Sequence, residues 1–339
     1  MTDRTPLTYN GAVTAYRQRL LQGDAIALQA ITDEYKVVRK NLIDAIADLA
    51  ADLDGAPDPS DVFKTARYKA LIDQIDAEIA RLAAQAETVI TDGQAAFVQF
   101  GQQEAKSLAV LSAAESSVAL AAQVNAGWAQ LNTGAVRDLV GRLSDGSPLS
   151  DYLNGLPNQF GMTIRAELIN GLALGKHPRL IRQNLEDRLD GQVTRLLTTT
   201  RTAILDSYRS SNILAMQESG VVDEWMWTAA LDSRTCAACL ALHGKTFPVS
   251  ESFMGSHPGC RCAPRPIVPG AGKPNIPDAQ EFFAELDAGQ QDAILGKKGG
   301  QAYRDGQVGL GDFVHLDRDP RWGDRYRQGS VKDAIRRAS

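Results

Sequence analysis

Four cysteines, Cys236, Cys239, Cys260 and Cys262, stand together in one short stretch of a 339-residue chain, with none elsewhere. Thiols kept only for packing would be scattered, so the cluster points to one local piece of chemistry. Cys236-Ala237-Ala238-Cys239 is a C-x-x-C turn, which can aim two thiolates at a common point. The later pair, Cys260-Arg261-Cys262, can close a tetrahedron, the usual geometry of structural zinc. C-x-C is less usual than C-x-x-C, and His257 stands three residues before Cys260. The candidate ligand set is therefore Cys236 and Cys239 with two of His257, Cys260 and Cys262. Two other readings stay open: a disulfide or redox pair, although a thioredoxin-like β-α-β context is missing, and four unliganded thiols.

A catalytic zinc is not expected. No glutamate sits beside a ligand histidine as a general base, and four sulfurs would fill the coordination sphere. His243, in Leu242-His243-Gly244-Lys245, reads as a turn residue, and His177, just before Pro178, as a loop residue. No phosphate-binding G-x-x-x-x-G-K-[ST] loop and no G-x-S-x-G elbow occurs. Gly296-Lys297-Lys298-Gly299-Gly300 is basic and glycine-rich, but it reads as a helix C-cap and loop. No catalytic and no cofactor-binding residues are assigned.

The elements around the cysteines read as mainly helical. Leu28, Ile31, Tyr35, Val38, Leu42, Ile46, Leu49 and Leu53 recur at steps of three and four, one stripe of a helix. Asp54 to Pro59 breaks it, Ser60 or Asp61 offers an N-cap, and Tyr68, Leu71, Ile75, Ile79, Leu82, Ala86 and Val89 repeat the stripe. The two form an antiparallel hairpin close to a coiled coil, with small residues Ala77, Ala80, Ala83 and Ala84 allowing close approach. Leu108 to about Leu143 is Ala- and Ser-rich and still helical, with Trp128 as a lone large anchor; Gly141 to Pro148 is a turn. Leu149–Asn170, Leu180–Leu189 and Val193–Ser219 read as further helices. Val221–Thr228 alternates apolar and polar residues, a strand just before the cysteines. After a proline-rich linker, Gln280–Leu295 reads as one amphipathic helix. Arg318 to Ser339 carries seven basic residues against three acidic ones, with Trp322 and Tyr326 among the arginines: it reads as a solvated tail or one docked on an acidic partner, and the alternative is phosphate neutralisation with aromatic stacking, suited to packaged DNA.

Composition sets outer bounds. With 44% hydrophobic and 23% charged residues, wholesale disorder is excluded. A formal charge of −5 gives no sign of a nucleic-acid coat protein. No apolar run approaches the ~18 residues that a membrane helix needs. The opening MTDRTPLTYNGAV shows no secretory signal, so the chain is expected in the cytoplasm or wherever a cytoplasmic assembly carries it.

The order Asp232-Ser233-Arg234-Thr235-Cys236 to Cys239, then Leu242-His243-Gly244, then His257-Pro258-Gly259-Cys260-Arg261-Cys262 resembles the Mu protein F-like minor head proteins of tailed bacteriophages. The helix containing RTAILDSYRSSNILA and the Trp225-Met226-Trp227 strand add to the resemblance, which covers roughly Leu149 to Pro269. It implies a non-enzymatic minor capsid or head morphogenesis protein, inside the virion near the portal, assisting procapsid assembly, DNA packaging or ejection. The implied partners are the portal, the major capsid or scaffolding protein, and packaged DNA through the basic C-terminus, with no membrane. Before assembly the protein would be in the host cytoplasm. Too little sequence follows the cysteines for an added enzymatic or toxin domain. A zinc- or thiol-dependent enzyme acting on nucleic acid is the alternative.

The expected fold is mainly α: a long N-terminal helical hairpin, then a helical second domain with a small β element and a zinc-knuckle-like cysteine cluster. The expected division is 1–112 as the helical arm, 113–270 as the domain with the cysteines and 271–339 as an extension. The expected cofactor is structural zinc, which would stiffen a β element with too meagre a core of its own.

Overall fold

The computed structural model describes residues 8–52, 66–129, 134, 137–143, 146–173, 178–254, 257–319 and 323–339. The breaker from Asp54 to Pro59, its candidate caps Ser60 and Asp61, His177 and Trp322 lie outside these residues. The fold is mainly α with small antiparallel sheets, as the sequence pattern predicts. Two compact units are built from discontinuous pieces: Gly23–Gly93 with Gly141–Arg201, and Met1–Gln22 with Gln94–Val140 and Thr202–Ser339.

Helix α1 runs from Tyr9 to Asp52 and α2 from Ala66 to Ser116, both longer than their apolar stripes suggest. In the first unit most of each stripe is buried as expected, Ile31, Tyr35, Val38, Leu42 and Ile46 on α1 and Leu71, Ile75, Ile79, Leu82 and Ala86 on α2, while Leu28 and Val89 are half-buried and Leu53 lies outside the described residues. Arg81 pairs with Glu34, and the Asn41 amide donates to Glu78. Rising numbers on one helix meet falling numbers on the other, the mark of an antiparallel hairpin. The small-residue expectation fails: Ala77, Ala80 and Ala84 are exposed, and only Ala83 is buried. The large residues, not the small ones, make this seam.

The same unit holds α4 (Leu149–Asn154), α5 (Leu156–Ala173) and the first part of α6 (Pro178–Ser219). The two helices expected over Leu180–Leu189 and Val193–Ser219 are thus one. A single helical glycine costs only about 1 kcal/mol, and buried Leu185, Leu189, Val193 and Leu196 carry the stripe through Gly191.

The second unit positions the cysteines. Ser117 caps the short helix α3 (Val118–Gly127), its hydroxyl accepting from the Leu120 amide. A three-stranded antiparallel sheet has β1 (Glu224–Thr228) at its centre, β2 (Thr246–Pro248) on one side and β3 (Ala263–Ile267) on the other. Trp225 lies opposite Phe247 and Pro266, and Trp227 opposite Pro264. Prolines are tolerated on β3 because it is an edge strand. All of β1 beyond Glu224 is buried, so its alternation in sequence does not become alternation in exposure.

Between β1 and β2 lies α7 (Ala237–Leu242), entirely buried. One core packs Cys239, Leu242, Cys260 and Cys262 with Trp225, Trp227, Met216 and Val268. A second packs Ala237, Leu240 and Ala241 with Phe283, Leu295, Leu310, Phe313 and Ala334. The i, i+3, i+4 spacing of α7 divides its side chains between the two.

The second core is built by the C-terminal segment. The helix expected over Gln280–Leu295 is two, α8 (Ala279–Glu285) and α9 (Ala288–Leu295), because Asp287 forms a capping box with Gln290 and starts a new helix. Gly296 caps α9 as expected, at φ 76°, but the following residues form α10 (Lys297–Arg304), not a loop. A 3-10 turn (Leu310–Phe313), the hairpin of β4 (Val314–Asp319) and β5 (Gly323–Gln328), and α11 (Val331–Ala338) complete the chain. Among the described residues, no helix is long and apolar enough to cross a membrane.

Candidate metal centre

The C-x-x-C turn is made by capping chemistry. Cys236 is the N-cap of α7, and its sulfur accepts from the Cys239 amide at 3.5 Å. That bond turns the Cys236 and Cys239 sulfurs toward each other. The later loop turns at Gly259, whose φ of 72° favours a residue without a Cβ. Its closure, the Cys260 amide donating to the His257 carbonyl at 3.0 Å, puts His257 beside the cysteines.

Two overlapping triads result. Cys236, Cys239 and His257 bring their ligand atoms within 4.8 Å of one another, as do Cys239, Cys260 and Cys262. Cys239 Sγ lies 3.8 Å from Cys260 Sγ and 4.0 Å from His257 Nε2. A tetrahedral ion with metal–sulfur bonds of ~2.3 Å has sulfur–sulfur edges of ~3.8 Å. None of the four cysteines is joined in a disulfide. All five sequence-predicted ligands are thus brought together, and the donor set suits a thiophilic metal ion.

Electrostatics favour a cation at this place. Four sulfurs this close cannot all ionise in a buried site. The hydrogen bond with Cys239 pulls the Cys236 thiol down to about 5, and the same bond pushes Cys239 up. Hydrogen bonds with Cys239 and Cys262 lower Cys260, whereas burial raises Cys262. Burial opposes a charged His257, but its hydrogen bond with Cys236 and the neighbouring thiolates outweigh that and raise its pKa to about 9. A divalent ion would resolve the conflict by replacing protons as the partner of those sulfurs that ligate it.

The supports around the ligands were not legible as such. On α6, Thr202 and Arg209 face the second cysteine loop. The Thr202 hydroxyl accepts from the Gly259 amide at 2.8 Å. The Arg209 guanidinium donates to the Cys262 carbonyl at 2.8 Å, to the Cys260 carbonyl, and to Asp206 at 2.7 Å. It also lies over the Phe253 ring, 5.3 Å from its centroid. Arg209 stands in the RTAILDSYR stretch, but a backbone carbonyl as its destination has no sequence signature. The two cysteine loops are tied by Arg261, which grips Asp232 with two bonds of 2.8 and 2.9 Å. The Asp232 carboxylate also accepts from the Arg234 amide at 3.0 Å. His243 plays the turn role expected: Nδ1 accepts from the Ala229 amide, and Nε2 donates to the Pro277 carbonyl, both at 2.9 Å.

Aromatic packing fixes the sheet beneath. Trp225 stacks on Phe247 with centroids 4.5 Å apart, and Trp227 stacks on Phe253 at 4.2 Å. Behind it, buried Glu104 holds Arg265 of β3 and Tyr208 of α6.

This arrangement of a long helix, a two-tryptophan strand and a paired cysteine turn coincides with a family match. Residues 162–265 match the model of the Phage Mu protein F like family. The match spans most of α5, all of α6, β1, α7 and β2, and β3 as far as Arg265. The resemblance read over Leu149 to Pro269 is borne out within that span. No curated protein and no solved structure matches the chain.

Proposed function

We propose that this chain is a minor head morphogenesis protein of a tailed phage. It acts inside the capsid near the portal, assists procapsid assembly, DNA packaging or ejection, and is not an enzyme. The observation that carries the reading is the family match over residues 162–265, which contains every candidate metal ligand and the helix face that supports them.

In this reading the metal is structural zinc, held by Cys236 and Cys239 with two of His257, Cys260 and Cys262. It clamps α7 to the loop before β3, which Arg209 already holds from α6 and which Arg261 ties to Asp232. The portal is the first partner, and the major capsid or scaffolding protein the second. Packaged DNA would meet the C-terminal segment weakly. Of its basic residues, Arg327 pairs with Asp317, Arg336 with Asp333, and Arg337 donates to the Asp312 carbonyl. Tyr326 packs edge-on to Trp227, 6.1 Å between centroids, so it is not laid out with the arginines for stacking.

Co-expression with the portal tests the reading directly. The two proteins should co-purify, and isolated heads should contain the chain. A chain that neither joins the portal nor enters heads refutes the proposal. Metal analysis of protein purified under reducing conditions without chelator should give about one zinc per chain. No zinc would overturn the metal assignment alone.

A further inference from the structure

A cavity of about 180 Å³ opens beside the metal centre but is not part of it. One wall is a face of α1 carrying Val13, Thr14 and Arg17 at its helical spacing. The other is the turn after β1, with Leu231, together with Arg261 and Ile276. Leu231 has a φ of 49°, a left-handed conformation no other non-glycine among the described residues adopts.

The charges in the cavity do not balance. Arg261 is committed to Asp232, and Arg265, which also lines the cavity, is committed to Glu104. The Arg265 Nε is nevertheless buried without a hydrogen-bond partner. Arg17 is half-buried and makes no hydrogen bond or ion pair among the described residues. Burial lowers its pKa from the ordinary value; the nearby Asp232 carboxylate opposes that, but Asp232 is already held by Arg261, and Arg261 and Arg265 push the Arg17 pKa further down. His243 adds no charge, since both ring nitrogens are engaged in its neutral form. One positive charge is left over, in a pocket whose other lining mixes apolar side chains with the neutral polar groups of Asn10, Thr14, Thr228 and His243.

We propose that this cavity binds a monoanionic carboxylate on a short apolar stem, with Arg17 gripping the carboxylate and Val13, Leu231 and Ile276 enclosing the stem. The charge count selects the class. A carboxylate neutralises one guanidinium and matches its fork in a bidentate pair, whereas a phosphate dianion would bring a second charge into a pocket with no cation left for it. The volume agrees, because a cavity of ~150 Å³ is enough to hold benzene. The carboxylate could be a free acid or the C-terminus of a partner polypeptide, since the cavity would meet the same chemistry in both.

Calorimetric titration of the full chain with butyrate, inorganic phosphate, and a short apolar peptide in free-acid and amidated forms tests this. Butyrate should bind with a Kd of about 1 mM or tighter, and phosphate more weakly. Free-acid peptide binding tighter than butyrate identifies a polypeptide end as the source; equal or weaker binding identifies a free acid. In both cases the amidated peptide should not bind. Arg17→Gln should weaken butyrate at least tenfold. Thr14→Trp, on an exposed position at the cavity, should block it with Arg17 intact. The proposal is overturned if butyrate does not bind, if phosphate binds more tightly, or if folded Arg17→Gln and Thr14→Trp proteins both bind butyrate as the parent does.

Discussion

Arg209→Met removes the group on which the second cysteine loop rests. The methionine fills much of the arginine stem's volume, so the change is mainly in hydrogen bonding. Two bonds from a charged donor to buried carbonyls, those of Cys260 and Cys262, are lost. Bonds to charged groups contribute roughly 1.5–3 kcal/mol each, which sets a gross loss of ~3–6 kcal/mol. Removing a buried cation returns part of its desolvation cost, and Asp206 is partly exposed, so water can take over its lost bond. The expected net loss is about 3 kcal/mol, concentrated in the segment around Trp225 and Trp227. Tryptophan emission during thermal unfolding reads that segment, because both indoles are buried against Phe247 and Phe253. The transition should fall by several degrees, and zinc loaded into the candidate site should leave at lower chelator concentration. Arg209→Lys keeps the charge but loses the fork, and should fall between. A Met variant whose tryptophan transition stays within about 0.5 kcal/mol of the parent refutes the reasoning, since surface-like substitutions already produce changes of that size.

Ile75→Asp places a carboxylate in a fully buried position on the hairpin seam and should cost several kcal/mol, seen as lost helical signal at lower temperature. Gly101→Ala should cost on the order of 1–3 kcal/mol, because its Cβ would sit 2.4 Å from the Tyr208 carbonyl oxygen on α6, a backbone atom that cannot swing away. Asp232→Asn should destabilise by ~1–2 kcal/mol at neutral pH. The hydrogen bonds from Arg261 outweigh burial and hold Asp232 at about 2, below the ordinary 3.8, so its contribution is present above pH 4 and fades as pH falls toward 2. Urea unfolding at neutral pH and at pH 3 should therefore show the difference between parent and variant shrinking in acid.

The meeting of the candidate ligands was legible because their chemistry is local: a C-x-x-C turn needs only Cys236 to cap the helix that Cys239 sits on. The stripes on α1 and α2 were legible because burial follows helical period. Helix length was not, since Gly191 reads as punctuation in sequence while buried Leu189 and Val193 carry the stripe past it. Thr202 and Arg209 escaped notice because their partners are backbone groups of a loop some fifty residues later, and a carbonyl is the same in every residue. The β4–β5 hairpin escaped for another reason. Asp317, Arg318, Arg325 and Arg327 put charge along its strands, so the segment shows net charge more plainly than period, and it read as a tail.

That segment is in fact a wall of the site. Phe313 and Ala334 are fully buried against the face of α7 that carries Ala237, Leu240 and Ala241, while Cys239 faces the other way. Gln328 at the end of β5 accepts from the Ala237 amide at 3.1 Å and donates to the Ile294 carbonyl at 3.0 Å. The helix that supplies two of the candidate ligands is therefore held from both sides, by the aromatic sheet and by the C-terminal elements. Deleting Arg318 to Ser339 would unroof α7 as well as remove basic charge, and a loss of DNA binding after that deletion would say nothing about electrostatics. Charge must be changed where it is exposed. Lys332→Glu with Arg336→Glu leaves Ala334 and Gln328 in place, so a DNA-binding role for this segment predicts a lower salt slope with unchanged metal content. Equal DNA affinity in parent and variant across the salt range would remove packaged DNA from the partners of this segment and leave its packing against α7 as its role.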